Sequence, residues 1–106
     1  MNDSQYNFIA DELLLAIEEA IEDCGTDIDY EGISGMLTLT FKNGSKIIIN
    51  KQAPLHEIWV ATKFNGHHFL YQDEQWVDKR AGDELWQFLS NAVSTQADAK
   101  IELSQP

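Results

Sequence analysis

Basic side chains are missing from the first part of the chain, since residues 1–41 contain no lysine or arginine. The same stretch holds ten of the 18 acidic residues, so the formal net charge of −11 is concentrated there. A field of this sign repels phosphates and anionic lipid, and it attracts cations or a basic protein surface. We therefore do not expect nucleic acid or a membrane surface as a direct ligand.

Cysteine and long apolar runs are scarce as well. The single cysteine, Cys24, cannot form an internal disulfide, which agrees with a reducing compartment. No apolar run approaches the roughly 20 residues that span a membrane. No basic segment followed by an apolar segment and a small-residue cleavage site opens the chain. We expect a cytoplasmic protein without a membrane span.

The N-terminal part predicts one long helix over residues 4–24. Apolar residues recur there at intervals of three and four, Asp3 or Ser4 can cap the start, and Gly25 can close the end. The apolar positions share one side of the helix: Tyr6, Ile9, Ala10, Leu13, Ile17, Ala20, Ile21 and Cys24. Acidic side chains occupy the opposite side, which predicts an acidic solvent face over a buried one.

Short alternating segments with turn signals between them follow this helix. The segments DIDYE, GMLTLTF, KIIIN, EIWVATKF, HHFLYQ and QWVD read as strands, with Asn-Gly turns at 43–44 and 65–66. Residues 83–96 read as a second helix, and the polar last ten residues or so are expected to fray. The prediction is a single α+β domain over residues 1–106. Its architecture is a two-layer α/β sandwich, with the N- and C-terminal helices packed on one face of an antiparallel β-sheet of five to six strands.

Seven carboxylates lie close together between residues 17 and 31. We call them the acidic ridge: Glu18, Glu19, Glu22 and Asp23 on the helix, and Asp27, Asp29 and Glu31 on one face of the adjoining strand. Carboxylates one helical turn apart can share a hydrated di- or trivalent cation. No His or Cys stands beside them at metal-ligand spacing, so the pattern predicts weak, poorly selective binding at several sites, completed by water. The candidate metal ligands also include three acids nearer the N-terminus: Asp3, Asp11 and Glu12.

An ordinary solvated face is the alternative explanation for a run of charge on a helix. Such a face normally mixes signs, because like charges at i, i+4 cost a few tenths of a kcal/mol each. Residues 1–41 contain no Lys or Arg that could offset this repulsion. The unfavourable charge pattern therefore favours a functional role for the acids.

The order helix, meander, helix and the string NGSKIIINKQAPLHEIWVATK resemble the frataxin family, in particular its bacterial branch. The resemblance covers nearly the whole chain, and its most specific part is Asn50-Lys51-Gln52, Pro54 and Ile58-Trp59. It implies the same two-layer fold and an accessory regulator of iron-sulfur cluster assembly that binds Fe²⁺ or Fe³⁺. It also implies docking on the cysteine desulfurase, with the iron-sulfur scaffold protein as a possible further partner.

A second candidate surface surrounds Trp59. Alternation in EIWVAT sends Ile58 and Val60 to the core and leaves Glu57, Trp59 and Ala61 on the open face of the sheet. An exposed tryptophan is a typical interface anchor, although partial shielding by neighbours such as Gln52 explains the residue equally well. The resemblance assigns this surface to docking on a partner, with these residues: Trp59, Asn50, Lys51 and Gln52, together with Glu18, Glu19 and Glu22.

We consider three classes of function for this sequence. The first is an iron-binding adaptor, and the second is an acidic interaction module of the same pathway in which metal binding is incidental. The third, a ferroxidase, requires a buried Glu-x-x-His site on facing helices; the sequence offers none, so no enzyme is predicted. We expect a monomer, with self-association in abundant metal left open. Many bacterial members of the family carry more Asp where this chain has Cys24-Gly25-Thr26, which leaves the number of bound ions open.

Overall fold

Two helices pack on a six-stranded antiparallel sheet in the computed structural model, which describes residues 1–105. The elements in chain order are α1 (Asp3–Asp23), β1 (Asp29–Ile33), β2 (Met36–Thr40), β3 (Lys46–Gln52), a 3-10 turn (Ala53–Leu55), β4 (Glu57–Ala61), β5 (Gly66–Gln72), β6 (Gln75–Asp78) and α2 (Leu85–Ala97). Neighbouring strands pair in sequence order, so the sheet is a meander with β1 and β6 at its edges. The predicted fold class is confirmed. Neither α1 nor α2 is long and apolar enough to cross a membrane.

Helix α1 is capped by Asn2 rather than by Asp3 or Ser4. The Asn2 side chain accepts a hydrogen bond from the Gln5 N–H at 2.8 Å, and the Gln5 side chain accepts one from the Asn2 N–H at 3.0 Å. This reciprocal capping box satisfies two backbone donors that a helix start leaves without partners. Gly25 follows the helix with a φ of +78°, a conformation that glycine adopts without strain.

The core lies between the two helices and one face of the sheet. Alternate residues of β2 to β5 supply its sheet side, and residues three or four apart supply its helical side. The following side chains are at most 1% exposed: Ile17, Ile21, Leu37, Leu39, Ile47, Ile49, Ile58, Val60, Phe69, Leu85 and Leu89. The predicted inward orientation of Ile58 and Val60 is confirmed, and the opposite face of the sheet stays open.

The C-terminal tail packs against α2 instead of fraying. Ile101 and Leu103 are each only 6% exposed. The Ser94 hydroxyl donates to the Ile101 carbonyl at 2.9 Å and accepts from its N–H at 2.8 Å, while Ser90 Oγ accepts from the Leu103 N–H at 2.8 Å. The expectation of a frayed tail is therefore wrong here, because two serines one helical turn apart bind an extended segment that brings two apolar side chains to the core.

Strand β1 begins at Asp29, two residues later than predicted. Tyr30 pairs with the buried Leu39, so Tyr30 lies on the core side of the sheet. Asp29 and Glu31 consequently share the open face, in keeping with the prediction that they share one face. Asp27 precedes the strand and does not belong to that row.

Candidate functional site

Glu18 and Glu22 form one row of the acidic ridge, on the flank of α1 that contacts β1. The Tyr30 hydroxyl donates a hydrogen bond to Glu22 Oε1 at 2.7 Å. This bond and the charge of the carboxylate raise the pKa of the Tyr30 phenol, because the hydrogen bond favours the protonated form. Glu18 Oε1 lies 3.3 Å from the point where a Cβ on Gly32 would stand, so the missing side chain at Gly32 permits the close approach.

Glu19 and Asp23 form a second row on the other flank of α1. Both side chains are exposed, and they lie one helical turn apart. Glu12 is on the same flank, since Glu12 and Glu19 line a shallow cavity together with Gln105 of the tail. The helix thus presents two pairs of carboxylates, one on each side of the exposed Leu15.

The last turn of α1 carries acidic residues where the helix dipole disfavours them. Glu22 and Asp23 lie in this turn, which has no basic residue. The C-terminal end of a helix bears partial negative charge, and a misplaced carboxylate there costs about 0.3–1 kcal/mol. The arrangement therefore reduces helix stability, so a contribution to folding does not explain it.

The helical part of the ridge has no basic partner. Among residues 1–105, no Lys, Arg or His forms an ion pair with Glu18, Glu19, Glu22 or Asp23. Three other candidate acids do have such partners: Asp3 with His56 at 2.7 Å, Asp11 with Lys51 at 2.8 Å, and Asp27 with Lys42 at 3.7 Å. Of the candidate acids on α1, Asp11 is paired with a lysine and Asp3 contacts a histidine, whereas the four acids near the C-terminal end of the helix have no basic partner within residues 1–105.

The ridge is also divided by the edge of the sheet. Glu18 and Glu22 contact the core side of β1, whereas Asp29 and Glu31 project from its open face. In the described part of the chain, no three His, Cys, Asp or Glu side chains converge closely enough to hold a metal ion. The geometry offers pairs of carboxylates rather than a cage, and a cation held there keeps most of its water ligands.

Trp59 forms the centre of the candidate docking surface on the open face. Its ring is half-buried and stacks on His68, with ring centroids 4.3 Å apart and planes inclined by 11°. Its indole Nε1 donates to Glu57 Oε1 at 2.8 Å. His68 and Glu57 thus both contact the ring and shield it in part.

Glu57 is a buried carboxylate on this otherwise open face. Its side chain lies beside Trp59 and is reached by Lys79, whose Nζ donates to Oε2 at 2.8 Å. Burial favours the neutral acid, but the hydrogen bonds from Lys79 and Trp59 outweigh that effect and lower the pKa of Glu57 below its ordinary value. Sequence reasoning missed this group because Lys79 is 22 positions away.

Lys51 lies on the opposite side of the sheet from the docking surface. In the β3–β4 register, Asn50 pairs with Trp59 and Lys51 pairs with the buried Ile58. Asn50 therefore shares the open face with Trp59, as does Gln52. Lys51 instead extends over the helix side to Asp11, so its predicted place beside Trp59 is wrong.

Comparison with known proteins identifies the family. A family model described as a frataxin-like domain matches residues 1–99. The chain belongs to the frataxin family. This frataxin-family chain is 76% identical, over 98% of either sequence, to the iron-sulfur cluster assembly protein CyaY of Colwellia psychrerythraea. The resemblance inferred from the sequence is confirmed.

Solved frataxin structures agree with the fold. The frataxin of Psychromonas ingrahamii has a TM-score of 0.92 at 46% identity, over 99% of this frataxin-family chain and 100% of its own. Trimeric frataxin from the yeast Saccharomyces cerevisiae, complexed with ferrous iron, has a TM-score of 0.68 at 28% identity, over 92% of this chain and 88% of its own. The two-layer arrangement of this chain is thus that of its family.

Proposed function

We propose that this chain is an accessory protein of iron-sulfur cluster assembly, which binds Fe²⁺ or Fe³⁺ weakly on the acidic ridge and docks on the cysteine desulfurase. A relative that is 76% identical is an iron-sulfur cluster assembly protein, and a yeast relative is complexed with ferrous iron. The observation that carries the proposal is the group of four carboxylates without basic partners at the end of α1, where they oppose the helix dipole.

Carboxylate chemistry supports the iron-binding part of the proposal. Oxygen ligands suit Fe²⁺ and Fe³⁺, and they suit other di- and trivalent cations almost as well. Glu18 with Glu22, and Glu19 with Asp23, each supply two such ligands one helical turn apart. Water completes the coordination, so affinity and selectivity are both low. Asp29 and Glu31 provide a separate, weaker location on the other side of β1.

The docking part of the proposal combines charge with an aromatic anchor. Acidic side chains on α1 attract a basic surface of the desulfurase and speed its approach. Trp59, with Asn50 and Gln52 on the same face, supplies the contact that excludes water. Iron and the desulfurase then compete for the carboxylates of Glu18, Glu19 and Glu22, which makes docking responsive to iron.

A cluster-assembly assay tests the proposal directly. Purified desulfurase and scaffold protein form clusters with and without this chain, over a series of iron concentrations. We expect the chain to change the rate of cluster formation, and we expect the size of that change to depend on iron. A rate that is the same with and without the chain at every iron concentration contradicts the proposal.

The absence of any three-ligand cluster within residues 1–105 favours a second candidate. In this version the chain is an acidic interaction module of the same pathway, and metal binding is incidental. Its complex with the desulfurase is then salt-sensitive, yet its affinity is the same before and after removal of iron. Calorimetry of the complex with and without a chelator separates the two candidates.

Replacing Trp59 with alanine is expected to weaken desulfurase binding by about 10- to 100-fold, because anchors of this type contribute a large share of interface energy. The fold is expected to persist, since the indole lies on the open face outside the core. Isothermal titration calorimetry measures the affinity, and far-UV circular dichroism checks the fold.

The matched control for this experiment is Phe64→Ala, which removes another accessible aromatic ring, 65% exposed, from the β4–β5 loop. We expect its affinity to stay within about twofold of the unaltered chain. Equal affinities for the Trp59 and Phe64 variants would remove Trp59 from the docking surface.

A further inference from the structure

We infer that Glu57 is a positioning residue of the docking surface: its buried carboxylate, tethered by Lys79, holds the Trp59 indole in the orientation that meets the partner. The inference rests on the docking role proposed above for Trp59. It concerns a group that contributes almost no exposed surface of its own, since Glu57 is only 3% exposed.

The two oxygens of the Glu57 carboxylate have different partners. Oε1 accepts the indole N–H of Trp59 at 2.8 Å, and Oε2 accepts Lys79 Nζ at 2.8 Å. Residues 57 and 59 are two apart on β4, so their side chains project from the same face of the sheet. The carboxylate therefore reaches the edge of the indole ring while its other oxygen is fixed from the side of β6.

Trp59 is held at its face as well as at its edge. Residues Trp59 and His68 are direct neighbours in the β4–β5 register, and their rings stack with centroids 4.3 Å apart. The backbone N–H of Lys79 donates to the His68 carbonyl at 2.9 Å. Lys79 and His68 are thus connected to each other by a backbone hydrogen bond. Together these contacts restrain rotation of the Trp59 side chain about both χ1 and χ2.

The backbone of Glu57 is anchored to the acidic helix. The Tyr6 hydroxyl of α1 donates to the Glu57 carbonyl at 2.7 Å, and Tyr6 is fully buried. A buried carboxylate is costly unless hydrogen bonds compensate for lost water. Here one oxygen is compensated by the Trp59 indole itself and the other by Lys79, and a leucine of similar size would fill the space without that cost. Orientation of the indole accounts for a charged residue at this position.

Fixing an aromatic anchor before binding increases affinity, because less side-chain freedom is lost when the complex forms. We therefore compare Glu57→Leu, which removes the acceptor, with Glu57→Gln, whose amide oxygen still accepts the indole N–H. Two signals are read for each variant: the ¹H–¹⁵N resonance of the Trp59 indole in the full chain, and calorimetric affinity for purified cysteine desulfurase.

For Glu57→Leu we expect the indole resonance to move toward the position of a water-exposed tryptophan and the affinity to fall about 3- to 10-fold. In Glu57→Gln the single amide oxygen can accept the indole N–H, but the amide nitrogen is a donor and cannot accept from Lys79. We therefore expect a smaller shift of the resonance than for leucine and the same twofold to fivefold loss of affinity as for loss of the Lys79 tether. A smaller loss for glutamine than for leucine indicates that the acceptor oxygen positions the ring, and the loss that remains reports the contribution of the Lys79 tether.

Asp78→Ala is the control for general destabilisation. Asp78 is a carboxylate of comparable burial on the helix side of the sheet, where its oxygens accept from His67 Nδ1 at 3.0 Å and from the Arg80 N–H at 2.8 Å. This variant is expected to unfold at a lower temperature, with its Trp59 indole resonance and desulfurase affinity unchanged. If Asp78→Ala shifts the indole resonance and weakens desulfurase binding as much as Glu57→Leu does, the inference is overturned.

Lys79→Met provides a second route if Glu57→Leu does not fold. It removes the tether alone, from a side chain that is about half exposed. We expect the indole resonance to broaden or shift and the affinity to fall about twofold to fivefold. An unchanged indole resonance in Glu57→Leu or in Lys79→Met, whichever of them folds, overturns the inference. If Trp59→Ala binds as well as the unaltered chain, the docking role fails, and the indole resonance alone decides whether Glu57 positions the ring.

Discussion

Replacing Ile101 and Leu103 together with serine is expected to lower the free energy of unfolding by about 4–6 kcal/mol. Truncating one buried Ile or Leu costs about 2–5 kcal/mol, and the two residues are coupled because they attach the same segment to α2. Their loss also releases the backbone hydrogen bonds to Ser90 and Ser94. Since small domains are stable by only about 5–15 kcal/mol, the variant is left close to its unfolding threshold.

Urea denaturation followed by circular dichroism measures this effect. The control replaces two exposed leucines, Leu15 and Leu55, with serine; they are 60% and 55% exposed. We expect the control to lower the free energy of unfolding by less than about 1 kcal/mol, because these side chains are already largely exposed in the folded state. If both double variants lower the free energy of unfolding by the same small amount, the tail contributes nothing to the stability of the core.

Iron is expected to broaden the NMR signals of the helical ridge first, and neutralising that ridge is expected to raise the iron concentration needed by more than about tenfold. The variant combines Glu18→Gln, Glu19→Gln, Glu22→Gln and Asp23→Asn. Its free energy of unfolding is expected to rise by about 1 kcal/mol, because like-charge pairs and the unfavourable interaction with the helix dipole both disappear. Opposite changes in iron binding and stability show that lost binding does not come from unfolding.

A matched variant removes the same amount of charge elsewhere. It combines four substitutions of exposed acids in the C-terminal half: Asp73→Asn, Asp83→Asn, Asp98→Asn and Glu102→Gln. We expect its iron response to remain within about twofold of the unaltered chain, since long-range charge is screened beyond about 10 Å. Iron-induced broadening that leaves Glu18, Glu19, Glu22 and Asp23 unaffected would refute the proposed location.

The elements of this fold could be predicted because their signals are local. Apolar residues at helical spacing defined α1, and Asn-Gly pairs between alternating segments defined the hairpins. The boundaries were less well determined at β1, where DIDYE alternates from residue 27 onward but pairing starts at Asp29. Pairing depends on the partner strand, and the pattern of one strand does not reveal where its neighbour begins.

The contacts of the site could not be predicted because they join distant parts of the chain. Lys51 reaches Asp11 across 40 positions, and Lys79 reaches Glu57 across 22. Alternation placed Glu57 correctly on the open face, yet it could not show that neighbours bury the carboxylate there. The same alternation grouped Asp29 with Glu31 without showing which face of the sheet the helices cover.

Strand β1 has a neighbour on only one side, so a row of its N–H and C=O groups points outward. Such an edge can recruit a strand from another molecule and start aggregation. An approaching second β1 would bring Asp29 and Glu31 close to identical carboxylates, and like charges across paired strands repel. The acids at this edge therefore also disfavour edge-to-edge pairing between the sheets of two copies of the protein at high concentration.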